Sequence, residues 1–286
     1  MTGLAAAWPH LRLPFQLTLA PIFLWGALLS GGRPDWAAAA AFLSLHLFLY
    51  PAATAFNAVY DRDEGAVSGL AVPPPVPPHL ARVAITLALA GLLLAFPSGP
   101  EFVTLYLLIV GWTAAYSHPR TRWKAGPWRS AAAIGLGQGV IGFAAGWAAL
   151  APLAPEDPAL SLGAASASLT ALGLYPVTQV FQVDEDRARG DRTLAVVLGP
   201  AGALRLGAAC LAAAGMIASF LVSRLFPGPD GLVVGVAYLG LIAWQLRLAR
   251  TIAGLDEAQG YARAMRLLNA ATAGFLLFLA AEAVLS

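Results

Sequence analysis

Charge and cysteine are both scarce in this chain of 286 residues. Charged residues make up 11% of the sequence, while hydrophobic residues make up 59%. A typical soluble domain carries about 25% charged residues, so this composition excludes an ordinary soluble globular protein. The single cysteine, Cys210, excludes an intrachain disulfide. The net charge of +2 carries no signature of nucleic-acid binding, and we expect no nucleic-acid partner.

Long apolar runs, separated by clusters of glycine and proline, take the place of the missing charge. A helix that spans a bilayer needs about 20 mostly apolar residues. We therefore predict an all-α polytopic membrane protein, in which nine transmembrane helices surround a central cavity open to the cytoplasmic side and to lipid. We expect a single domain over residues 1–286. The predicted spans are Phe15–Ser30, Asp35–Tyr60, Leu80–Phe96, Glu101–Tyr116, Arg129–Leu150, Leu160–Phe181, Gly202–Leu225, Gly231–Arg250 and Arg263–Leu285.

The basic residues alternate between the predicted loops. Of the 17 Lys and Arg residues, all except Arg33 and Arg224 fall on one side of the predicted membrane. The positive-inside rule places the richer side in the cytoplasm. We therefore expect an integral protein of the cell membrane, with a cytoplasmic N-terminus and an extracytoplasmic C-terminus.

Two acidic stretches lie at the cytoplasmic ends of predicted spans two and six. Asn57 and Asp61 are four residues apart and share one helical face, which Glu64 continues, and Gln182 and Asp186 repeat the spacing of amide and carboxylate. Carboxylates on membrane helices usually mark an ion or substrate site. Oxygen ligands of this kind suit Mg²⁺, which prefers a few carboxylates together with substrate phosphates. The competing interpretation is that both stretches are acidic, solvated helix ends.

A basic loop follows predicted span four. Arg120, Arg122 and Lys124 provide three cations within five residues, and such cations can hold phosphate oxygens. Arg192, which follows the second acidic stretch, adds another possible phosphate contact. Carboxylates, Mg²⁺ and cations together bind a diphosphate and neutralise it as it leaves. Ordinary positive-inside topology is the competing interpretation of this loop.

Together these motifs resemble the UbiA superfamily of intramembrane prenyltransferases, and the resemblance covers most of the chain. One acidic motif of the family resembles Asn-Asp-x-x-Asp-x-x-x-Asp, and the other resembles Asp-x-x-x-Asp. Here Ala58, Gly65 and Gln182 replace three of these carboxylates, which indicates a divergent member with altered aspartate-rich motifs. The Tyr-Ser-x-Pro start of the basic loop and the Gly-Asp-Arg-Thr-Leu that follows the second stretch also fit. The acidic neighbours that would compensate are Asp63, Glu64, Asp184 and Glu185.

The resemblance implies Mg²⁺-dependent transfer of a prenyl group from an isoprenoid diphosphate to a hydrophobic acceptor, aromatic acceptors included, within the lipid bilayer. One Mg²⁺ ion would be held by Asn57 and Asp61 with Glu64 beside them, and another by Gln182 and Asp186. The residues with implied catalytic roles are Asp61, Asp186 and Lys124. The residues with implied substrate-binding roles are Asn57, Tyr60, Tyr116, Arg120, Arg122, Lys124, Tyr175, Gln179 and Arg192.

Three other functions stay open at this point. A terpene cyclase on the same scaffold would ionise an isoprenoid diphosphate without an external acceptor. A non-catalytic relative would bind the diphosphate without turnover. A transporter is disfavoured, because no Asp, Glu, Lys or Arg lies near the middle of any predicted span. The sequence does not determine the chain length of the donor, the acceptor or the oligomeric state.

Overall fold

Apolar helices packed side by side form the protein, and a computed structural model describes residues 3–226 and 228–285. Among these residues there is no β-strand, only an isolated β-bridge between Val67 and Leu70. The helices in chain order are α1 Ala5–Leu29, α2 Trp36–Asp61, α3 Leu80–Ala95, α4 Gly99–Ser117, α5 Pro127–Ala148, α6 Pro158–Thr178, α7 Val183–Arg189, α8 Leu194–Leu225, α9 Asp230–Gly254 and α10 Glu257–Val284.

Eight helical stretches of the described residues are long and apolar enough to cross a membrane. The longest, Leu80–Ser117, reverses direction at Phe96–Ser98, where a 3₁₀ turn is followed by Gly99 with φ of 87°. The Tyr106 hydroxyl of α4 donates a hydrogen bond of 2.7 Å to the carbonyl oxygen of Ala88 in α3, so the two helices are antiparallel neighbours. When the stretch Leu80–Ser117 is divided at this turn, the eight stretches become nine helical segments within the described residues, α1–α6 and α8–α10. The prediction of an all-α integral membrane bundle is confirmed.

Small residues bring α1 and α5 into close contact. Gly26 of α1 faces the backbone of Phe143, and Gly146 of α5 faces the backbone of Phe23. A Cβ atom at either glycine would overlap the facing carbonyl oxygen, so no larger residue fits without separating the helices. Such small-residue contacts let membrane helices approach closely. The α1–α5 pair thereby forms a firm wall of the bundle.

Helix α8 begins earlier than the sequence analysis predicts. The predicted span starts at Gly202, whereas the helix starts at Leu194, directly after Thr193, whose hydroxyl accepts a hydrogen bond from the Val196 N–H. Gly199, with φ of 70°, kinks the helix just before Pro200. The kink divides α8 into a short first part and a long apolar second part. The short first part begins shortly after the second acidic stretch in the sequence.

Three helices of like direction end at the same side of the bundle. The C-terminal residues of α2, α4 and α6 line one cavity, together with residues of α7. Helix C-termini carry partial negative charge and favour cations. The fold thus gathers both acidic stretches and the basic loop at one place, although they are far apart in the sequence.

The close contact between α1 and α5 predicts a stability difference between two glycine positions. Gly146→Ala should lower the free energy of unfolding by about 1–3 kcal/mol, because the added methyl group must displace the backbone of Phe23. The matched control is Gly240→Ala in α9, where a Cβ meets no atom within 4 Å. Unfolding by SDS titration in detergent micelles measures both changes. Equal stability of the two variants would contradict the packing described here.

Candidate functional site

A cavity of about 320 Å³ lies where α2, α4 and α6 end. Its outer part is strongly charged, and its deeper part is apolar. The charged side chains that line it are Arg12, Asp61, Asp63, Lys124, Asp186, Arg189 and Asp191. The apolar side chains that line it include Ile22, Ile109, Ile134, Leu174 and Phe275.

Lys124 bridges the amide and the carboxylate of the first acidic stretch. Its Nζ donates to Asn57 Oδ1 at 2.6 Å and to Asp61 Oδ1 at 2.5 Å. Asn57 Oδ1 also accepts a hydrogen bond of 2.9 Å from the Ser117 hydroxyl, and Asn57 Nδ2 donates to Asp61 Oδ2 at 2.7 Å. The Lys124 and Asp61 side chains are both buried. The first stretch is therefore joined to the basic loop by a buried salt bridge.

Two arginines add positive charge beside Asp61. Arg189 lies 3.4 Å and Arg122 lies 3.7 Å from Asp61 Oδ1. Arg122 also forms a two-pronged hydrogen bond with Asp191, at 3.1 and 2.9 Å, and Arg189 donates to Asp63 at 2.8 Å. Two unit charges 4 Å apart near a protein surface interact by about 4 kcal/mol. One buried carboxylate thus already has three cations within 4 Å.

Burial and pairing shift the pKa values of the charged groups in opposite directions. Burial lowers the pKa of Lys124, against the opposing attraction of Asp61. Burial, with repulsion from Asp61, raises the pKa of Asp63. Burial disfavours the charge of Arg189, but its hydrogen bond to Asp63 and the nearby carboxylates outweigh this and raise its pKa. The charges of the cavity therefore depend on one another.

Within the second acidic stretch, the motif carboxylate Asp186 differs from Asp184 and Glu185, which form salt bridges with Arg187 and Arg189. Asp186 accepts a hydrogen bond of 3.1 Å from the Thr193 hydroxyl. Of the described carboxylates that line the cavity, it alone has no salt bridge. Burial raises the pKa of Asp186 to about 6. Gln182 and Gln179 line the cavity on the preceding turns, and the buried Oε1 of Gln179 has no hydrogen-bond partner.

Two tyrosines lie on the inner side of the charged groups. The hydroxyls of Tyr116 and Tyr175 are hydrogen-bonded at 3.1 Å, and both residues line the cavity. Both tyrosines belong to the last turn of their helices, which end at Ser117 and Thr178. The aromatic ring of Tyr60 instead packs edge-on against Phe56 and His118 and does not line the cavity.

Comparison with known proteins agrees with this geometry. The model of the UbiA prenyltransferase family matches residues 19–278. The chain belongs to this family. As a UbiA family member, it is a prenyltransferase. No curated protein sequence matches it significantly.

Solved structures of other UbiA proteins have the same fold. A UbiA homologue from Archaeoglobus fulgidus bound to GPP and Mg²⁺ superimposes with a TM-score of 0.67 and 18% identity, over 96% of this chain and 99% of that one. The same homologue bound to DMAPP and Mg²⁺ gives 0.64 and 19%, over 95% and 99%. A digeranylgeranylglyceryl phosphate synthase gives 0.65 and 14%, over 98% and 99%. At these identities the likeness concerns the fold.

Some residues predicted for the site lie outside the cavity of this UbiA family member. Glu64 does not continue the face of Asn57 and Asp61, because α2 ends at Asp61 and Arg62 adopts a left-handed conformation with φ of 50°. Its exposed backbone N–H instead donates to Glu185. The exposed residues Arg120 and Arg192 do not line the cavity either. Asp184, named as one of the acidic neighbours that would compensate, is also exposed and does not line the cavity.

Four charged residues that line the cavity of this UbiA family member were not assigned to the site from the sequence, although Asp63 was named as a substitute for a missing motif carboxylate; they are Arg12, Asp63, Arg189 and Asp191. Asp63 reaches it because the chain reverses direction after Arg62. Arg12 reaches it because α1 is interrupted there by a residue with φ of 47°. Arg189 is the last residue of α7 and lies about one helical turn after Glu185 and Asp186. This spacing was the sign in the sequence that could have placed Arg189 near the site.

The paired fork between Arg122 and Asp191 predicts strong coupling between these residues. In a double-mutant cycle of Arg122→Gln and Asp191→Asn, the coupling energy for unfolding should be about 0.5–3 kcal/mol, because both charges are largely buried and doubly hydrogen-bonded. The matched cycle, Arg187→Gln with Asp184→Asn, concerns an exposed salt bridge and should show coupling close to zero. Similar values for both cycles would show that the fork does not hold the loop.

Proposed function

We propose that this prenyltransferase transfers a prenyl group from an isoprenoid diphosphate, with Mg²⁺, to a hydrophobic acceptor dissolved in the bilayer. The observation that carries the proposal is the meeting of Asp61, Lys124 and Asp186 in one cavity that is charged at its outer end and apolar within. The Archaeoglobus fulgidus homologue, bound to DMAPP or GPP with Mg²⁺, supports this class of donor.

The cations of the cavity would hold the diphosphate. Lys124, Arg189 and Arg12 line the cavity, and each carries hydrogen-bond donors suited to phosphate oxygens. Lys124 and Arg189 are paired with carboxylates, and the N–H donors that these pairs leave unused are available to phosphate oxygens. Arg122 keeps its fork with Asp191 and positions the loop that carries Lys124.

The donor atoms of the second acidic stretch fit a Mg²⁺ ion. Asp186 offers an unpaired carboxylate, Gln179 offers a buried Oε1 without a partner, and Gln182 lines the same cavity. Oxygen ligands with few carboxylates suit Mg²⁺ when substrate phosphates complete its shell. When bound there, the ion would neutralise the diphosphate as it leaves. No group of three or more His, Cys, Asp and Glu suited to a metal occurs within the described residues.

The apolar part of the site would accept the prenyl chain and the acceptor. Another cavity, of about 570 Å³, adjoins the first, and Ile22, Thr170 and Phe275 line both. Most of its remaining lining is apolar and comes from α8, α9 and α10. The departure of diphosphate leaves an allylic cation, and the ring faces of Tyr116 and Tyr175 would stabilise it until an acceptor carbon attacks.

We further propose that the protein lies in the cell membrane and that the charged end of the cavity, where the diphosphate would bind, faces the cytoplasm. The support is the distribution of basic residues, since all but two of the Lys and Arg residues belong to the side on which α2, α4 and α6 end. This orientation gives the enzyme access to a water-soluble diphosphate head from the cytoplasm.

Loss of either motif carboxylate should abolish turnover. Asp61→Ala removes the partner of Lys124, and Asp186→Ala removes the unpaired carboxylate of the second stretch. Release of ³²P-diphosphate from labelled geranyl diphosphate, with Mg²⁺ and membrane lipid extract as the source of acceptor, measures turnover. Asp184→Asn is the matched control, because its side chain is 98% exposed on the same helix as Asp186. Normal activity of both alanine variants would disprove the site.

If the enzyme transfers the prenyl group to an acceptor, the labelled products should differ between reactions with and without a source of acceptor. In detergent, with radiolabelled geranyl diphosphate and Mg²⁺ but no lipid extract, we expect no cyclised hydrocarbon, and we expect a larger labelled product once extract is added. Thin-layer chromatography of the hexane-soluble products separates these cases. A cyclised hydrocarbon formed without extract would identify a terpene cyclase instead.

A further inference from the structure

The two acidic stretches differ in what already occupies their oxygen atoms. Both Asn57 Oδ1 and Asp61 Oδ1 accept from Lys124, at 2.6 and 2.5 Å, so the pair expected to hold one ion is bridged by an ammonium group. Arg189 and Arg122 lie 3.4 and 3.7 Å from the same Asp61 oxygen. Three cations around one carboxylate repel a divalent ion from this position.

The two positions of the first motif that lost their carboxylates, Ala58 and Gly65, do not regain ligands from their neighbours. Ala58, where the family motif has an acid, belongs to the same buried apolar cluster as Leu80 and Ala84 of α3, so that position is part of the packing between helices. At Gly65, a Cβ atom would meet the carboxylates of Glu185 and Glu257 at 2.9 and 2.8 Å.

Those two carboxylates already have partners of their own. Glu185 Oε1 accepts from Arg189, and Glu257 Oε1 accepts from the Ala66 N–H, whereas the buried Oε2 of Glu185 has no hydrogen-bond partner. Neither residue lines the cavity. The place of the missing motif carboxylate is thus filled by groups that do not line the cavity.

The second stretch has the opposite character. Asp186 is 9% exposed and lacks a salt bridge, although each of the three other carboxylates lining the described cavity has one. Gln179 is 6% exposed, and its Oε1 lacks any hydrogen-bond partner. A buried acceptor without a partner is costly unless a ligand completes it. Gln182, which lies between Gln179 and Asp186 in the sequence, also lines the cavity.

We propose that this protein binds its diphosphate donor with one divalent ion, held by Asp186, Gln182 and Gln179, and that Lys124 takes the place of a second ion. The inference rests on the proposed function, because it concerns how the same diphosphate is held. It replaces the expectation of two ions that the family resemblance implies. Gln179 becomes a metal ligand, in addition to its predicted place in the substrate site.

Metal stoichiometry tests this inference apart from activity. Mn²⁺ is titrated, with saturating pyrophosphate as the probe, into the purified full chain in detergent and followed by electron paramagnetic resonance. We expect one Mn²⁺ per chain with the spectrum of an isolated ion. Two ions with an exchange-coupled spectrum would overturn the inference and leave the proposed function standing. Failure to bind pyrophosphate at any Mn²⁺ concentration would reject the proposed function itself.

Two isosteric variants locate the ion. Asp186→Asn should weaken Mn²⁺ binding by about ten-fold or more, because it removes the only unpaired carboxylate among those described in the cavity. Asp61→Asn should leave one Mn²⁺ bound with little change in affinity, because Asp61 is not a ligand. Asp184→Asn is the control and should behave as the unmodified protein. Equal loss of Mn²⁺ binding in the Asp61 and Asp186 variants would overturn the asymmetry.

Removal of the lysine charge gives an independent test. Lys124→Met keeps the approximate length of the side chain and removes the ammonium group that bridges Asn57 Oδ1 and Asp61 Oδ1. We expect this variant to bind a second Mn²⁺ in the presence of pyrophosphate. A stoichiometry still at one, in a variant with an unchanged size-exclusion profile, would contradict the role given to Lys124. If the variant does not fold, the comparison of Asp61→Asn with Asp186→Asn decides.

Discussion

Asp61 and its three cations form the interaction on which the site depends. The carboxylate ends α2, Lys124 and Arg122 come from the loop after α4, and Arg189 comes from α7. A buried charge without a partner is strongly destabilising. If one of these segments moved away from the others, it would leave such an unpaired charge behind. The helix ends that are separated by more than 120 residues in sequence are thereby held together at one end of the bundle.

This arrangement explains why the cavity suits a diphosphate. Two of the three cations that line it, Lys124 and Arg189, are paired with carboxylates in the absence of a ligand. A diphosphate supplies more negative charge and more acceptor oxygens than a carboxylate, and it can accept from the N–H donors that the carboxylates leave unused. The converging C-termini of α2, α4 and α6 add to the preference for cations at this end. The apolar lining beyond Tyr116 and Tyr175 then suits the prenyl chain.

The sequence predicts the parts of the site that follow helical spacing. Asn57 with Asp61, and Gln182 with Asp186, lie as their four-residue separation indicates, and Lys124 of the basic loop meets the first pair. The spans also follow from apolar runs, since burial in lipid demands them. Because successive spans cross the membrane in opposite directions, the C-terminal ends of α2, α4 and α6 are expected on the same side of the membrane.

Residues near breaks in regular structure could not be predicted in the same way. Arg12 and Arg62 both have positive φ, and these local conformations move Arg12 and Asp63 into the cavity and Glu64 out of it. No periodicity signals a left-handed arginine. The pairing of Arg189 with Asp63 joins residues 126 positions apart, and only the packing of α7 against the end of α2 brings them together.

The most direct test of the account is an experimental structure with a non-reactive geranyl S-thiolodiphosphate and Mn²⁺, in which anomalous scattering locates the metal. The account predicts that the diphosphate lies in the cavity in contact with Lys124, with manganese beside Asp186. A diphosphate bound outside this cavity, or manganese bound between Asn57 and Asp61, would contradict it.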